Sequence, residues 1–184
     1  MSDTKNESQS IDYNKQITED IIKYHKKYTI DGKVGKVNFS IPEHKTIALV
    51  AHDGMKDDMI EWCDENKDIL QNHFLCGTGT TAGLITKKTG LPVRAFKSGP
   101  LGGDQQIGSR ITETKINILI FFSDPLTAQP HDTDVKALMR IAQLYNIPMA
   151  INRATADFIL NSCYMNDLYK NCVTPFIDRR NSNR

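Results

Sequence analysis

The sequence predicts an α/β fold, a three-layer sandwich on a five-stranded, mainly parallel sheet of the flavodoxin-like or Rossmann-like type. The first observation is an alternation: short apolar runs are separated by segments whose apolar residues recur at helical spacing, which is typical of consecutive β-α-β units. The second is size, since 184 residues that are 39% hydrophobic suit one ordinary domain with some excess chain. Right-handed crossovers then leave few arrangements of such units.

The regular alternation starts near residue 45, and this divides the chain. Residues 1–44 are predicted to be an N-terminal extension, partly disordered or helical, because they begin with a polar stretch and show loose helical spacing only over 11–28. Residues 45–175 form the predicted main domain, and 176–184 form a C-terminal tail. Nothing in the extension indicates chemistry.

The five predicted strands are short apolar runs bounded by polar or glycine-rich segments. Runs of this length suit the buried strands of a parallel sheet better than helices. They are Thr46–Ala51, His73–Cys76, Val93–Lys97, Asn117–Phe122 and Pro148–Ile151.

The segments between the strands are predicted to be helices from the spacing of their apolar residues. The first starts near Met55, and Met59, Trp62 and Cys63 continue its apolar face. The second is closed by Gly90, a residue type that accepts the left-handed backbone common at helix ends. After the first, the predicted helices are Thr80–Thr89, Asp104–Thr112, Asp132–Tyr145 and Ala154–Leu160.

Polar residues follow each predicted strand, at the edge where ligands bind in open parallel sheets. Since the carboxyl ends of parallel strands share that edge, these residues are expected to meet in one crevice. In chain order they are His52 and Asp53; Gly77 to Thr81; Ser98 to Asp104; Asp124 with His131, Asp132 and Asp134; and Asn152.

The turn from Gly77 to Thr81 opens a predicted helix with hydroxyl side chains. Free amides at a helix start, together with the helix dipole, suit a phosphate group. Ordinary N-capping by Thr78 or Thr80 would explain the same residues. A nucleoside triphosphate site is disfavoured, because the GK[ST] ending of the phosphate-binding loop is missing.

The loop from Ser98 to Asp104 is the most unusual segment of the chain. Its three glycines allow the backbone to approach a ligand closely, and Ser98 with the Gly99 amide could bind phosphate oxygens. Asp104, at the start of the next helix, is either a candidate for chemistry or an N-cap. The glycine loop and the two glutamines that follow favour chemistry.

His131 and Asp134 lie three residues apart at the start of a predicted helix. Helix capping and a solvated acidic turn would explain them, and with Asp124 they could in principle ligate a metal. No metal is predicted, because hard cations prefer denser sets of oxygen ligands. His52 could be a histidine whose hydrogen bonds are satisfied at a strand end.

Charge and composition exclude several classes of function. A net charge of +1 gives no broad basic surface for nucleic acid or a membrane. The longest apolar run, 118–122, is far too short to span a bilayer, and the N-terminus lacks the apolar core of a secretory signal. Four cysteines without metal-site spacing indicate packing residues in a reduced, cytoplasmic protein.

Several stretches resemble the methylglyoxal synthase family, over about residues 45–167. The loop that ends in Asp-Gln-Gln is specific to that family and not only to its fold. The matching stretches are Val50–Asp53 with Lys56, Gly77–Thr81, Ser98–Gln106, Phe121–Leu126, Pro130–Lys136 and Ala154–Phe158. The resemblance implies a lyase that eliminates phosphate from dihydroxyacetone phosphate through an enediolate, giving methylglyoxal and inorganic phosphate, with no metal or organic cofactor.

The resemblance also implies a role for each matching residue. Asp104 corresponds to the family's catalytic aspartate. Three further catalytic positions correspond to Asp134, His131 and His52, and Asp124 to another acidic residue of the crevice. The implied substrate contacts are His52, Lys56, Thr78, Thr80, Thr81, Ser98, Gly99 and His131. A catalytic domain over 45–175, a homohexamer and inhibition by inorganic phosphate are implied as well.

Two other functions stay open from the sequence alone. Similar domains serve as regulatory modules that bind phosphate-bearing effectors, but they do not need Asp104, His131 and Asp134 together. An isomerase or aldolase would have to return the proton to carbon or use a Schiff-base lysine. Lys56 and Lys97 lie near strand ends, but neither has the apolar surroundings that such a lysine needs.

Overall fold

The computed structural model describes residues 37–128 and 132–173. These residues divide into two compact units. The described part of the smaller unit is residues 37–38 and 172–173. The larger unit, Phe39–Asn171, contains the main β-sheet and all the predicted site residues that the structure describes.

The described residues form seven strands. They are β1 (Val37–Ile41), β2 (Thr46–Ala51), β3 (Phe74–Gly77), β4 (Val93–Ala95), β5 (Ile118–Phe122), β6 (Met149–Ala150) and β7 (Tyr169–Val173). Five of them form one sheet in the order β4-β3-β2-β5-β6, and its four pairings are all parallel. The predicted α/β fold with a five-stranded parallel sheet is confirmed.

Six α-helices connect these strands in the described part of the chain. They are α1 (Lys56–Glu65), α2 (Lys67–Leu70), α3 (Gly79–Thr89), α4 (Gly103–Thr112), α5 (Asp132–Leu144) and α6 (Arg153–Leu160). The first predicted helix is divided, because a 3-10 turn at Asp53–Met55 precedes α1 and Asn66 separates α1 from α2. As predicted, α3 is closed by Gly90, whose φ is 77°. None of these helices is long and apolar enough to cross a lipid bilayer.

Alternate residues of β2 face opposite sides of the sheet and build two cores. Ile47, Leu49 and Ala51 pack with apolar residues of α1, α3 and α6. Ala48 and Val50 pack on the other side, with residues of α4 and α5. Because helices cover both faces, the strand is a continuous apolar run and not an alternating one. The result is the predicted three-layer sandwich.

Two strands, β1 and β7, were not predicted from the sequence; they pair in a separate two-stranded sheet. β1 lies within the predicted extension 1–44, yet its VNFSI run alternates apolar and polar residues, so a signal was present. The ammonium of Lys45, a residue only 2% exposed, donates to the carbonyls of Pro42 and Asp167 at 2.6 and 2.5 Å. These bonds connect the start of β2 to the segment before β7.

The cysteines of the core are buried thiols. Burial raises the pKa of both Cys63 and Cys76 to about 12. Both therefore stay protonated and unreactive at neutral pH, which fits the packing role predicted for them. Cys163, by contrast, is a free thiol that solvent reaches.

His73 is a buried polar residue directly before β3, 8% exposed. Its Nδ1 accepts a hydrogen bond of 3.3 Å from the Lys45 amide, and its Nε2 has no hydrogen-bond partner among the described residues. Burial lowers the pKa of His73, and the charges of Lys45 and His44 lower it further. The native protein therefore keeps this ring neutral at a pH at which the unfolded chain protonates it.

Stability is expected to fall as the pH drops below about 6.5, the ordinary pKa of histidine. Unfolding then takes up a proton that native His73 binds only at lower pH, whereas above that pH neither state is protonated there. His73→Asn keeps an acceptor for the Lys45 amide but does not titrate. Its free energy of unfolding should therefore depend less on pH between about 5 and 6.5. Urea titrations of both proteins measure this, and identical pH profiles would contradict the assignment.

Candidate active site

A cavity of about 310 Å³ lies at the carboxyl ends of the sheet strands. That volume is at the lower end of the range for small-molecule sites, ~300–1,000 Å³, and suits a ligand of few atoms. Seven of the predicted catalytic and substrate-binding residues line it: His52, Lys56, Thr78, Thr80, Ser98, Gly99 and Asp104. Val50, Ala51, Asp53, Pro100 and Phe121 complete the wall.

His52 follows β2 directly, and two contacts orient its ring. The Asp124 amide donates a hydrogen bond of 3.0 Å to Nδ1, and the Phe121 ring meets the imidazole edge to face with 4.9 Å between the centroids. Since an amide can only donate, Nδ1 must present a lone pair, and the ring proton lies on Nε2. His52 is therefore a neutral imidazole that donates through Nε2.

Lys56, in the first turn of α1, is the cationic side chain among the described residues that line the cavity. Its ammonium pairs with the Asp53 carboxylate at 2.5 Å, and the Asp53 side chain is 85% exposed. The Lys56 side chain is itself only 18% exposed, but the carboxylate of the pair lies in solvent, where ion pairs contribute little, ~0.2–1 kcal/mol. An anionic ligand can therefore take over the Lys56 ammonium with only a small loss.

The turn between β3 and α3 brings hydroxyl groups and helix amides to the cavity. Thr78 occupies the N-cap position of α3, but its side chain makes no capping hydrogen bond and donates instead to Thr81 Oγ1 at 3.3 Å. Ordinary side-chain capping by Thr78, the alternative left open by the sequence, is therefore wrong. The Gly79 amide donates to the Lys97 carbonyl at 3.1 Å. The first-turn amides of α3 that follow it have no acceptor within the helix, which suits an anion.

The loop that leads into α4 is shaped by two glycines. Gly102 has a φ of 93°, which side chains rarely adopt, and a Cβ on Gly103 would lie 2.1 Å from the Lys97 carbonyl oxygen. The Gly103 amide donates to the Ser98 carbonyl at 2.9 Å and closes the loop around a 3-10 turn at Gly99–Leu101. The loop thereby brings Ser98 and Gly99 to the same cavity as the start of α4.

Asp104 is an almost fully buried carboxylate, 2% exposed, in the cavity wall. It is the second residue of α4, whose N-cap is Gly102. The alternative that Asp104 is itself the N-cap is therefore wrong. The dipole of a helix start stabilises negative charge at this position. A buried carboxylate beside a ligand cavity is an arrangement suited to a general base.

The other predicted site residues are placed differently. Asp134 is half-buried in the first turn of α5 and is not among the residues that line the cavity. Thr81 is buried and contacts Thr78, so it supports the turn from behind. His131 lies outside the described residues, and so do 129 and 130.

Asp124 reaches the site through its backbone, by the amide that bonds to His52. Its carboxylate accepts from the Leu126 amide at 3.0 Å. The Thr127 hydroxyl and the Leu126 amide hold the pKa of Asp124 below its usual range. In the part of the chain that the structure describes, no group of three His, Cys, Asp or Glu side chains could hold a metal ion.

Sequence reasoning placed Asp53 in the crevice but missed Phe121 as a member of the wall. Val50 and Phe121 pair across β2 and β5, so both lie at the end of the sheet next to His52. That signal could have been used, because the last residues of two adjacent parallel strands flank whatever follows them. Asp53 shares the first polar cluster with His52, and its pairing with Lys56 follows from their spacing of three residues.

Comparisons with known proteins agree with one another. The family model described as MGS-like domain matches residues 58–151. The methylglyoxal synthase of Leptospira interrogans is 55% identical over 137 residues, covering 74% of this chain and 93% of that protein. The one of Clostridium acetobutylicum is 54% identical over 135 residues, covering 73% and 93%. The crystal structure of methylglyoxal synthase from Elizabethkingia anophelis NUHP1 matches with a TM-score of 0.74 and 48% identity, covering 78% and 95%.

Proposed function

This chain belongs to the methylglyoxal synthase family of lyases, and from that premise we propose that its cavity eliminates phosphate from dihydroxyacetone phosphate, giving methylglyoxal and inorganic phosphate. The reaction needs a base and an anion site side by side. The observation that carries the proposal is the buried Asp104 carboxylate in the same cavity wall as Lys56, the start of α3 and the Ser98 loop.

The phosphate group binds between a cation and two segments rich in hydroxyls and amides. Lys56 supplies the charge, and Thr78 with Thr80 and the first-turn amides of α3 that follow Gly79 supply donors. Ser98 and the Gly99 amide complete the set from the other side. A net charge near neutrality does not oppose this, because all of these donors are local.

Asp104 removes a proton from the hydroxyl-bearing carbon next to the carbonyl. The electron pair of that bond forms the carbon–carbon double bond of an enediolate, whose negative charge lies on oxygen. A carboxylate is a weak base, so the enediolate must be stabilised as it forms. The Nε2–H of His52 donates to one reacting oxygen, and a donor placed in this way contributes about 3–4 kcal/mol.

The second step breaks the bond between carbon and the phosphate oxygen. The terminal hydroxyl of the enediolate passes its proton to the neighbouring oxygen and becomes the aldehyde carbonyl, the double bond shifts, and phosphate leaves with the bonding pair. The enol that remains loses its hydroxyl proton and takes up a proton on carbon, which gives methylglyoxal. Elimination requires the breaking bond to stand perpendicular to the enediolate plane, and the phosphate contacts on two sides of the cavity hold it there. From the family resemblance we assign His131 to the second reacting oxygen, and we give Asp134, which lies outside the cavity wall, an indirect role in tuning this network.

The direct test is to incubate the purified protein with dihydroxyacetone phosphate and follow methylglyoxal and phosphate together. Equal release of both, faster than spontaneous elimination, is expected. Binding without turnover would instead indicate a regulatory module, the alternative that the sequence left open. The relatives do not support that alternative. Formation of glyceraldehyde phosphate would indicate an isomerase.

Lys56→Ala is expected to raise KM by about tenfold or more, because a charge-assisted hydrogen bond to phosphate is lost in both the ground and the transition state. Ser98→Ala should raise KM less, since a neutral donor is lost. In both variants kcat should change little. Lys87→Ala, on the exposed last turn of α3, is the matched control and should leave both constants unchanged. A fall confined to kcat would remove Lys56 from the phosphate site.

Membership of the family and the sequence imply further properties of the enzyme. Inorganic phosphate is a product that fits the phosphate-binding part of the cavity, so it inhibits in competition with the substrate. The active form is a homohexamer in the cytoplasm, and the reaction uses neither a metal nor an organic cofactor. Velocity measured against phosphate concentration and sedimentation of the purified protein test the first two statements.

A further inference from the structure

The backbone of Lys97 is a junction between three segments of the site. Its N–H donates to Oε1 of Gln106 at 2.8 Å, and its C=O accepts from the Gly79 amide at 3.1 Å. The same carbonyl oxygen lies against Gly103, where a Cβ would be 2.1 Å away. The backbone of this one residue thus touches the start of α3, the Ser98 loop and the start of α4.

The bond to Gln106 also explains where β4 ends. The sequence predicted a strand over Val93–Lys97, but β4 ends at Ala95. The Phe96 amide still donates to the Gly77 carbonyl at 2.9 Å. One residue later the backbone turns toward α4, and the Lys97 amide bonds to a side chain and not to the neighbouring strand.

We infer that Gln106 is a positioning residue for the elimination. By accepting a hydrogen bond from the Lys97 amide, its side chain holds Ser98 and Gly99 in place relative to Asp104. Gln106 and Asp104 lie on the same turn of α4. The Gln106 side chain therefore ties the Ser98 loop to the helix that carries the base. The inference rests on the proposed function of the cavity. Gln106, the second glutamine of the Asp-Gln-Gln sequence, does not line the cavity. Its role is to position the loop that does.

The chemistry of the bond identifies the right variants. The bond to Lys97 uses the acceptor oxygen of Gln106, so Gln106→Glu keeps the bond and Gln106→Leu removes it at similar size. Glu adds a charge near an anion site, which must be controlled separately. Gln105 is exposed on the same turn, and the Lys97 amide bonds to Gln106 and not to it, so Gln105→Glu and Gln105→Leu carry the same changes without touching the junction.

The experiment measures KM and kcat for dihydroxyacetone phosphate, and the Kd of inorganic phosphate by calorimetry, for these four variants. Gln106→Leu should raise KM and the phosphate Kd by about three- to tenfold relative to Gln105→Leu, the worth of one neutral hydrogen bond. The change in kcat should be smaller, because α4 itself holds Asp104. Gln106→Glu should match Gln105→Glu within about twofold.

The outcomes separate positioning from general damage. A merely structural loss would reduce the active fraction, and so kcat, with KM and Kd unchanged, and that result would overturn the inference. Equal impairment of the Leu and Glu variants at position 106, each against its control, would overturn it too. If the wild-type protein released no methylglyoxal, the proposed function would fail, while the phosphate Kd values would still decide the role of Gln106.

Discussion

Asp104→Asn is expected to lower kcat by about 10²–10⁴-fold, the usual contribution of a positioned general base. The amide is nearly the same size as the carboxylate but cannot accept a proton at neutral pH. Because Asp104 is 2% exposed in the first turn of α4, the isosteric change should leave the fold intact. Parallel release of methylglyoxal and phosphate gives kcat, and calorimetry with inorganic phosphate shows that the ligand site is still formed.

The control for this variant is Asp157→Asn. The Asp157 carboxylate accepts from Trp62 Nε1 at 2.7 Å, and an asparagine carbonyl can accept the same bond. That variant should keep the wild-type kcat. If Asp104→Asn retained a kcat within about threefold of wild type, another group would have to be the base, and the half-buried Asp134 would be the next to examine.

Gly103→Ala is expected to lower kcat/KM by about 10²-fold or more, although the substitution adds one carbon. The new Cβ would lie 2.1 Å from the Lys97 carbonyl oxygen and 2.9 Å from its carbon, and both are backbone atoms. Neither can rotate away, so the loop and the start of α4 must separate. Misplacement of reacting groups by about 1 Å costs on the order of 10²-fold in rate. Overpacking should also lower the free energy of unfolding by about 1–3 kcal/mol.

Gly83→Ala is the matched substitution on a helix of the same domain. A Cβ there would meet nothing within 4 Å, and Gly83 lies inside α3. Alanine should therefore stabilise the helix by up to about 1 kcal/mol and leave the kinetics unchanged. Thermal unfolding and steady-state rates of both variants test the contrast. Wild-type kinetics in Gly103→Ala would show that the loop adapts, and the packing argument would be wrong.

The strands and the positions of the polar clusters could be predicted because both depend on local pattern. β2 is buried on both faces and is therefore an uninterrupted apolar run, and a parallel sheet sends every strand's carboxyl end to one edge. That argument alone brought His52, Thr78, Ser98 and Asp104 to one cavity.

Contacts between distant residues could not be predicted in the same way. The tautomer of His52 depends on the Asp124 amide, which is 72 residues away in the chain. The end of β4 depends on Gln106, whose side chain acts only after the loop has folded. For Asp134 the sequence predicted too much. Its position after a strand fits the crevice, but the structure does not place it in the cavity wall.

The buried thiols of the core matter for an enzyme that releases an electrophile. Methylglyoxal is a dicarbonyl that adds to thiolates, so a protein that makes it is exposed to its own product at the highest local concentration. Cys63 and Cys76 are inaccessible and, with pKa values near 12, almost never ionised. Packing that serves the core thus also protects these two thiols from the product, and Cys163 is the thiol in the described part of the chain that solvent reaches.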